Sequence, residues 1–146
     1  RAQACIPKLQ TEGPGEAIPC LQAVLDDDPQ NVVALTWLGW AIDLAVTAGG
    51  LTEDQVRELQ ASSTALLDRA VKVTPDYSYA LAFRAVLAFR HGDAAQAKEY
   101  LAEFEANEPS PDARGVIEQM GLAERIDEAL AADGTATSNT STTAPG

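Results

Sequence analysis

The residues of this chain that could do chemistry are few: two cysteines, one histidine, a run of aspartates and a pair of tryptophans. Cys5 and Cys20 lie at nearly equal distances from a turn at Glu12 and Gly13, so an antiparallel helical hairpin brings them to the same height. That geometry permits a disulfide. Closing a loop of about 15 residues adds roughly 3 kcal/mol in the chain-entropy picture, provided the compartment is oxidising. The alternative is two buried free thiols acting as small apolar groups. The spacing is not Cys-x-x-Cys, and the sole histidine, His91, is too far along the chain to complete a zinc site, so no metal is expected. His91 stands beside Gly92 and Asp93 in a tight turn and reads as exposed polar filler. Asp26, Asp27 and Asp28 end a helix, where they oppose its dipole and should stay solvated, and no calcium-loop spacing surrounds them.

No catalytic constellation emerges. No serine has the glycine-framed elbow of a hydrolase. Gly49-Gly50 lacks the Lys and Ser/Thr that follow a phosphate-cradling loop. Glu103 and Glu105 have no convergent partners. The chain reads as a non-enzyme without a cofactor.

Bulk properties exclude further classes. A net charge of −12 and a pI near 4.3 argue against nucleic acid or an anionic lipid surface, both of which require a cationic face. A basic or unfolded polypeptide remains open as a partner. No stretch reaches the roughly 18 apolar residues of a membrane span; the best, Val32 to Val46, is interrupted by Asp43. The chain starts at Arg1 without Met, so a processed or trimmed product is expected, with a signal peptide or anchor lost upstream.

The elements that position these residues are helices. A first segment, Ala2 to Gln10, carries Ile6 and Leu9 on one face but holds Pro7. A second, Glu16 to about Asp27, repeats Ala17, Ile18, Leu21, Val24 and Leu25 at helical spacing, with Pro19 tolerable near its first turn. Val32 to Val46 is apolar almost all round, with Leu35, Leu38, Gly39 and Ile42 on one face and Trp37, Trp40 and Leu44 on another. Both Trp side chains could pack on a neighbouring hairpin or face a ligand. Thr52 opens a capping box with Gln55, which predicts one long helix from Glu53 to about Val73. A further hairpin follows: a helix to Arg90, the turn, then a helix carrying Ala97, Leu101 and Phe104. Ser110 and Pro111 cap a last helix to about Ala131, with Val116, Ile117, Met120, Ala123, Ile126 and Leu130 as one stripe. Residues 1–132 form one helical domain in this reading. The Ser/Thr-rich tail over 133–146 is expected to be disordered.

Pro75 and Pro109 stand 34 residues apart, each after one amphipathic helix and before the next, and this is the tetratricopeptide (TPR) period. The chain resembles a TPR protein. The resemblance implies an all-α fold of stacked antiparallel hairpins, about three repeats plus a C-terminal capping helix. The second repeat departs from the pattern, because Pro29 and Pro75 are 46 residues apart and the extra residues lie between the paired helices. Arg84 also stands where the repeat has an apolar residue.

In that family the first helix of each hairpin lines a concave groove for a peptide or partner helix. Matched positions here are Val33, Thr36, Trp37, Trp40 and Asp43, then Tyr79, Phe83, Val86, Phe89 and Arg90. The family's carboxylate-clamp subset needs Lys, Asn and Arg where this chain has Val33, Thr36, Trp37 and Trp40, so chaperone C-terminal tails do not fit. The paired-Cys hairpin, the Asp28-Pro29-Gln30-Asn31 turn and the Leu35 to Trp40 helix resemble, more narrowly, the TPR part of actinobacterial cytochrome c biogenesis factors. That resemblance implies an extracytoplasmic module anchored to the membrane by a missing segment, with apocytochrome c or a maturation subunit as protein partner. A cytoplasmic location is the alternative. The same apolar surface could instead make a homodimer or a closed bundle with no groove.

Overall fold

Local side-chain caps set where four of the helices start. In this computed structural model the backbone is described for residues 1–143 and side chains for residues 1–133, so the tail expected over 133–146 lies, beyond Asp133, outside the residues described in full. Asn31 accepts the Ala34 amide at 2.9 Å and opens α3 (Val32–Thr47). Thr52 accepts the Gln55 amide while the Gln55 side chain returns to the Thr52 amide, so both halves of the capping box form at the head of α4 (Glu53–Val73). Each such cap is worth about 1 kcal/mol, because it satisfies amides that have no partner within the helix. Asp93 accepts from Gln96 to start α6 (Ala94–Ala106), and Ser110, followed by Pro111, starts α7 (Pro111–Met120).

The remaining helices are α1 (Ala2–Thr11), α2 (Pro14–Asp27), α5 (Ser78–Arg90) and α8 (Leu122–Thr143). Pro7 and Pro19 both lie inside helices. α2 begins at Pro14 rather than Glu16, which puts Pro19 deeper into the helix than the edge of the first turn where it was expected. Each proline deprives the carbonyl four residues back of its donor, and those carbonyls belong to Gln3 and Gly15, both exposed, so water can serve them.

Antiparallel pairs stack in chain order: α1 with α2, α3 with α4, α5 with α6, α7 with α8. The extra residues of the second pair lengthen α4 at its start, as its capping box requires. Alanines stand at the close approaches: Ala17, Ala34, Ala41, Ala70, Ala80, Ala85, Ala97 and Ala113 are fully buried. Gly39 goes further still, since a Cβ there would meet the Ser63 carbonyl at 3.0 Å and Leu67 Cγ at 3.1 Å. Around these small residues, Leu21, Leu35, Leu67, Leu81, Phe83 and Phe104 fill the interior, each worth about 1.5–3 kcal/mol on burial.

The end of the stack departs from expectation. A single capping helix from Pro111 to Ala131 is predicted, but Gly121 adopts a left-handed conformation (φ 60°, ψ 36°) and divides it into a fourth helical pair. The left-handed residue resets the helical phase, so Leu122 is buried and Ala123 is exposed, where a continuous stripe would have buried Ala123.

Candidate functional site

The first helices of successive pairs touch in series, α1 against α3, α3 against α5, α5 against α7. The ten residues expected to line a groove all lie on α3 and α5. Four of them do not reach the surface: Thr36, Asp43, Phe83 and Val86 are 0–2% exposed. The expectation fails at these positions because α3 and α5 lie side by side, and the side chains one turn apart that face the neighbouring helix are consumed in packing. Val33, Trp37, Trp40, Tyr79, Phe89 and Arg90 remain partly exposed.

The aromatic residues join the two hairpins. Trp40 stacks on Phe83 with ring centroids 4.2 Å apart, and Trp37 meets the same ring nearly perpendicularly at 5.0 Å. Tyr79 closes the group, 5.3 Å from Trp37 and 5.7 Å from Phe83. Val116 of α7 packs against this cluster along with Leu67 and Leu87. Burial raises the Tyr79 hydroxyl above its ordinary pKa, and the Asp112 carboxylate of α7 adds to the shift. Tyr77 is raised chiefly by burial as well.

Asp43 explains itself through two partners. A carboxylate inside an apolar helix must be paired, and Arg90 Nη1 donates to its Oδ2 at 2.8 Å while His91 Nε2 lies 2.9 Å from its Oδ1. His91 is therefore not exposed filler: only 18% of its side chain is accessible. The clue was present in the sequence. A lone Asp within Val32–Val46 calls for a cation, and two basic side chains end α5, where helix dipoles favour them. Both Asp43 oxygens are spent on tying α3 to the end of α5.

Arg84, at a position where the repeat has an apolar residue, pairs with Glu103 and Asp68 and lies over the Tyr100 ring at 4.0 Å. Its aliphatic stem replaces the missing apolar side chain while the charge is neutralised at the rim. Cys5 and Cys20 are bonded, with Cα atoms 5.7 Å apart, and link α1 to α2. Among the described residues, no three His, Cys, Asp or Glu side chains gather as a metal site. No helix there is long and apolar enough to cross a membrane.

Known protein families and curated proteins offer no match to this chain. Among solved structures, a thermophilic TPR protein from Thermus thermophilus superposes with a TM-score of 0.71 at 20% identity. The match covers 87% of this chain and 66% of that one. The fold is TPR-like. At this identity the likeness speaks for the stacked all-α hairpins alone. In TPR-like terms, α1, α3, α5 and α7 are the first helices of four hairpins, and the aromatic cluster sits where the second meets the third.

Proposed function

We propose that this chain is a non-catalytic scaffold that binds a polypeptide on its α3–α5 face, against the accessible parts of Trp37, Trp40 and Tyr79. One observation carries the reading. Three large aromatic side chains are held rigidly by Phe83 at the junction of two hairpins, yet they remain partly exposed on the wall formed by the first helices. Rigid aromatics lose little entropy on binding and anchor many interfaces. Thr36, Asp43, Phe83 and Val86 support the wall from behind. The contact surface is correspondingly shallow and smaller than the ten-residue groove.

A net charge of −12 favours a partner with basic residues. The Cys5–Cys20 bond favours an extracytoplasmic setting. With the paired-Cys hairpin and the Leu35 to Trp40 helix, this supports a role in cytochrome c maturation or envelope protein assembly, with apocytochrome c as the first probe. Titration calorimetry of the chain with reduced apocytochrome c should give saturable binding that Trp37→Ala weakens at least tenfold. Circular dichroism would establish that the variant stays folded. Unchanged affinity in a folded Trp37→Ala, Trp40→Ala double variant removes the proposed surface. Saturable self-association of the unbound chain, lost in the same variant, would assign the face to a homodimer instead.

A further inference from the structure

A second feature lies behind the aromatic cluster, with which it shares Leu67 and Leu87. Between α4, α5 and α6 there is a cavity of about 170 Å³. Leu67, Leu87 and Ala88 make its apolar walls, with Tyr100 and Arg84 on one side and His91 also in the lining. A cavity of about 150 Å³ with apolar walls is large enough for a benzene ring. The size therefore suits one six-membered aromatic ring with a small substituent.

The polar groups narrow the choice. Asp43 can only accept, so the proton in its contact with His91 sits on Nε2. That leaves Nδ1, which makes no hydrogen bond among the described residues and is an acceptor in the neutral ring. Asp43 and Arg90 hold the imidazole in this orientation from outside the cavity. The surrounding charge disfavours an anion. Asp43, Asp68, Asp93 and Glu103 outnumber the Arg84 and Arg90 guanidiniums, and Arg84 is already paired with Asp68 and Glu103. Asp93, the one carboxylate in the lining, is exposed and has one oxygen engaged as the cap of α6, so a cation would gain little from so solvated a partner.

We propose that this cavity binds a neutral phenol-type ring, packed between Leu67, Leu87 and Ala88, with its hydroxyl donating to Nδ1 of His91. The ring comes either from a free small molecule or from a tyrosine side chain of a partner. The proposal stands apart from the aromatic wall and does not need it.

Two-dimensional NMR titration of the intact chain tests it with four probes: p-cresol, N-acetyltyrosinamide, toluene and 4-methylbenzoate. The expected result is saturable shifts of α4, α5 and α6 amides with p-cresol, affinity about fivefold weaker for toluene, which lacks the hydroxyl, and none for the carboxylate. p-Cresol binding alone assigns a free phenol; binding of both p-cresol and the tyrosine amide assigns a partner's tyrosine. No shift with either overturns the proposal, as does toluene binding as tightly as p-cresol or preference for the carboxylate. Ala88→Leu fills the cavity and should abolish the shifts. Thr64→Leu, at another point of the lining, serves if the first variant does not fold. Undiminished binding in a folded filled variant overturns the site.

Discussion

Trp40 of α3 lies stacked on Phe83 of α5, their planes 18° apart, and this contact helps set how the second and third hairpins meet. Phe83 is 2% exposed and also packs with Trp37, Leu67 and Leu87, so truncating its ring leaves a cavity among all of them. Phe83→Ala should cost about 3–5 kcal/mol, the range for a buried aromatic, and lower Tm by about 10 °C in a chain of this size. Near-ultraviolet dichroism from both tryptophans should weaken. A loss under about 1 kcal/mol would mean the hairpins are joined elsewhere.

Gly39 and Gly115 should respond in opposite directions to the same substitution. Both are helical, so alanine gains up to about 1 kcal/mol of propensity at either. At Gly39 the new Cβ meets a backbone carbonyl at 3.0 Å, which can yield only by moving α4 away from α3. Gly39→Ala should therefore destabilise by about 1–2 kcal/mol net. At Gly115 nothing lies within 4 Å, and Gly115→Ala should stabilise by about 0.5–1 kcal/mol. Denaturant titration of both variants gives the signs; a stable Gly39→Ala would mean the α3–α4 contact is looser than described.

What was legible in the sequence follows from the range of the interactions. The starts of α3, α4, α6 and α7 rest on caps spanning three residues; Thr52 and Ser110 announce theirs, whereas Asn31 and Asp93 read only as turn residues. Gly115 and Gly121 both read in sequence as marks of close packing or a bend, and nothing local separates a helical glycine, which costs about 1 kcal/mol, from the left-handed one at Gly121. The burial of Phe83 and Val86 was also hidden: it depends on how closely α3 and α5 approach, and no local pattern records that distance. His91 was misread because its partner, Asp43, is 48 residues away.

Asp43 and Arg90 should be unequal when removed. Asp43 is 2% exposed in its side chain and Arg90 is 31% exposed. Asp43→Leu leaves a guanidinium that can turn to water, so the cost should be modest, about 1–2 kcal/mol after allowance for solvent. Arg90→Met strands a buried carboxylate with only His91, and costs of about 3–5 kcal/mol are typical of such a loss. The double variant, with neither charge, should recover part of that loss. Equal costs for the two single variants would rule out the asymmetry.

Alkaline pH should unfold the chain through its tyrosines. Burial is the main cause raising Tyr77, Tyr79 and Tyr100 above 10.0; at Tyr100 it outweighs the opposing Arg84 charge. The folded state therefore holds these protons at a pH where the unfolded chain has released them. Their contribution to stability is complete below pH 10 and is lost as pH rises through the folded values. Tm should stay level with respect to these groups up to about pH 9 and fall above 10, and phenolate absorbance should appear later in the folded chain than in denaturant. Tyr79→Phe should flatten the fall, since it removes a hydroxyl raised by both burial and Asp112. Phenolate titration at the same pH in folded and denatured chains would leave burial of these rings without a thermodynamic consequence.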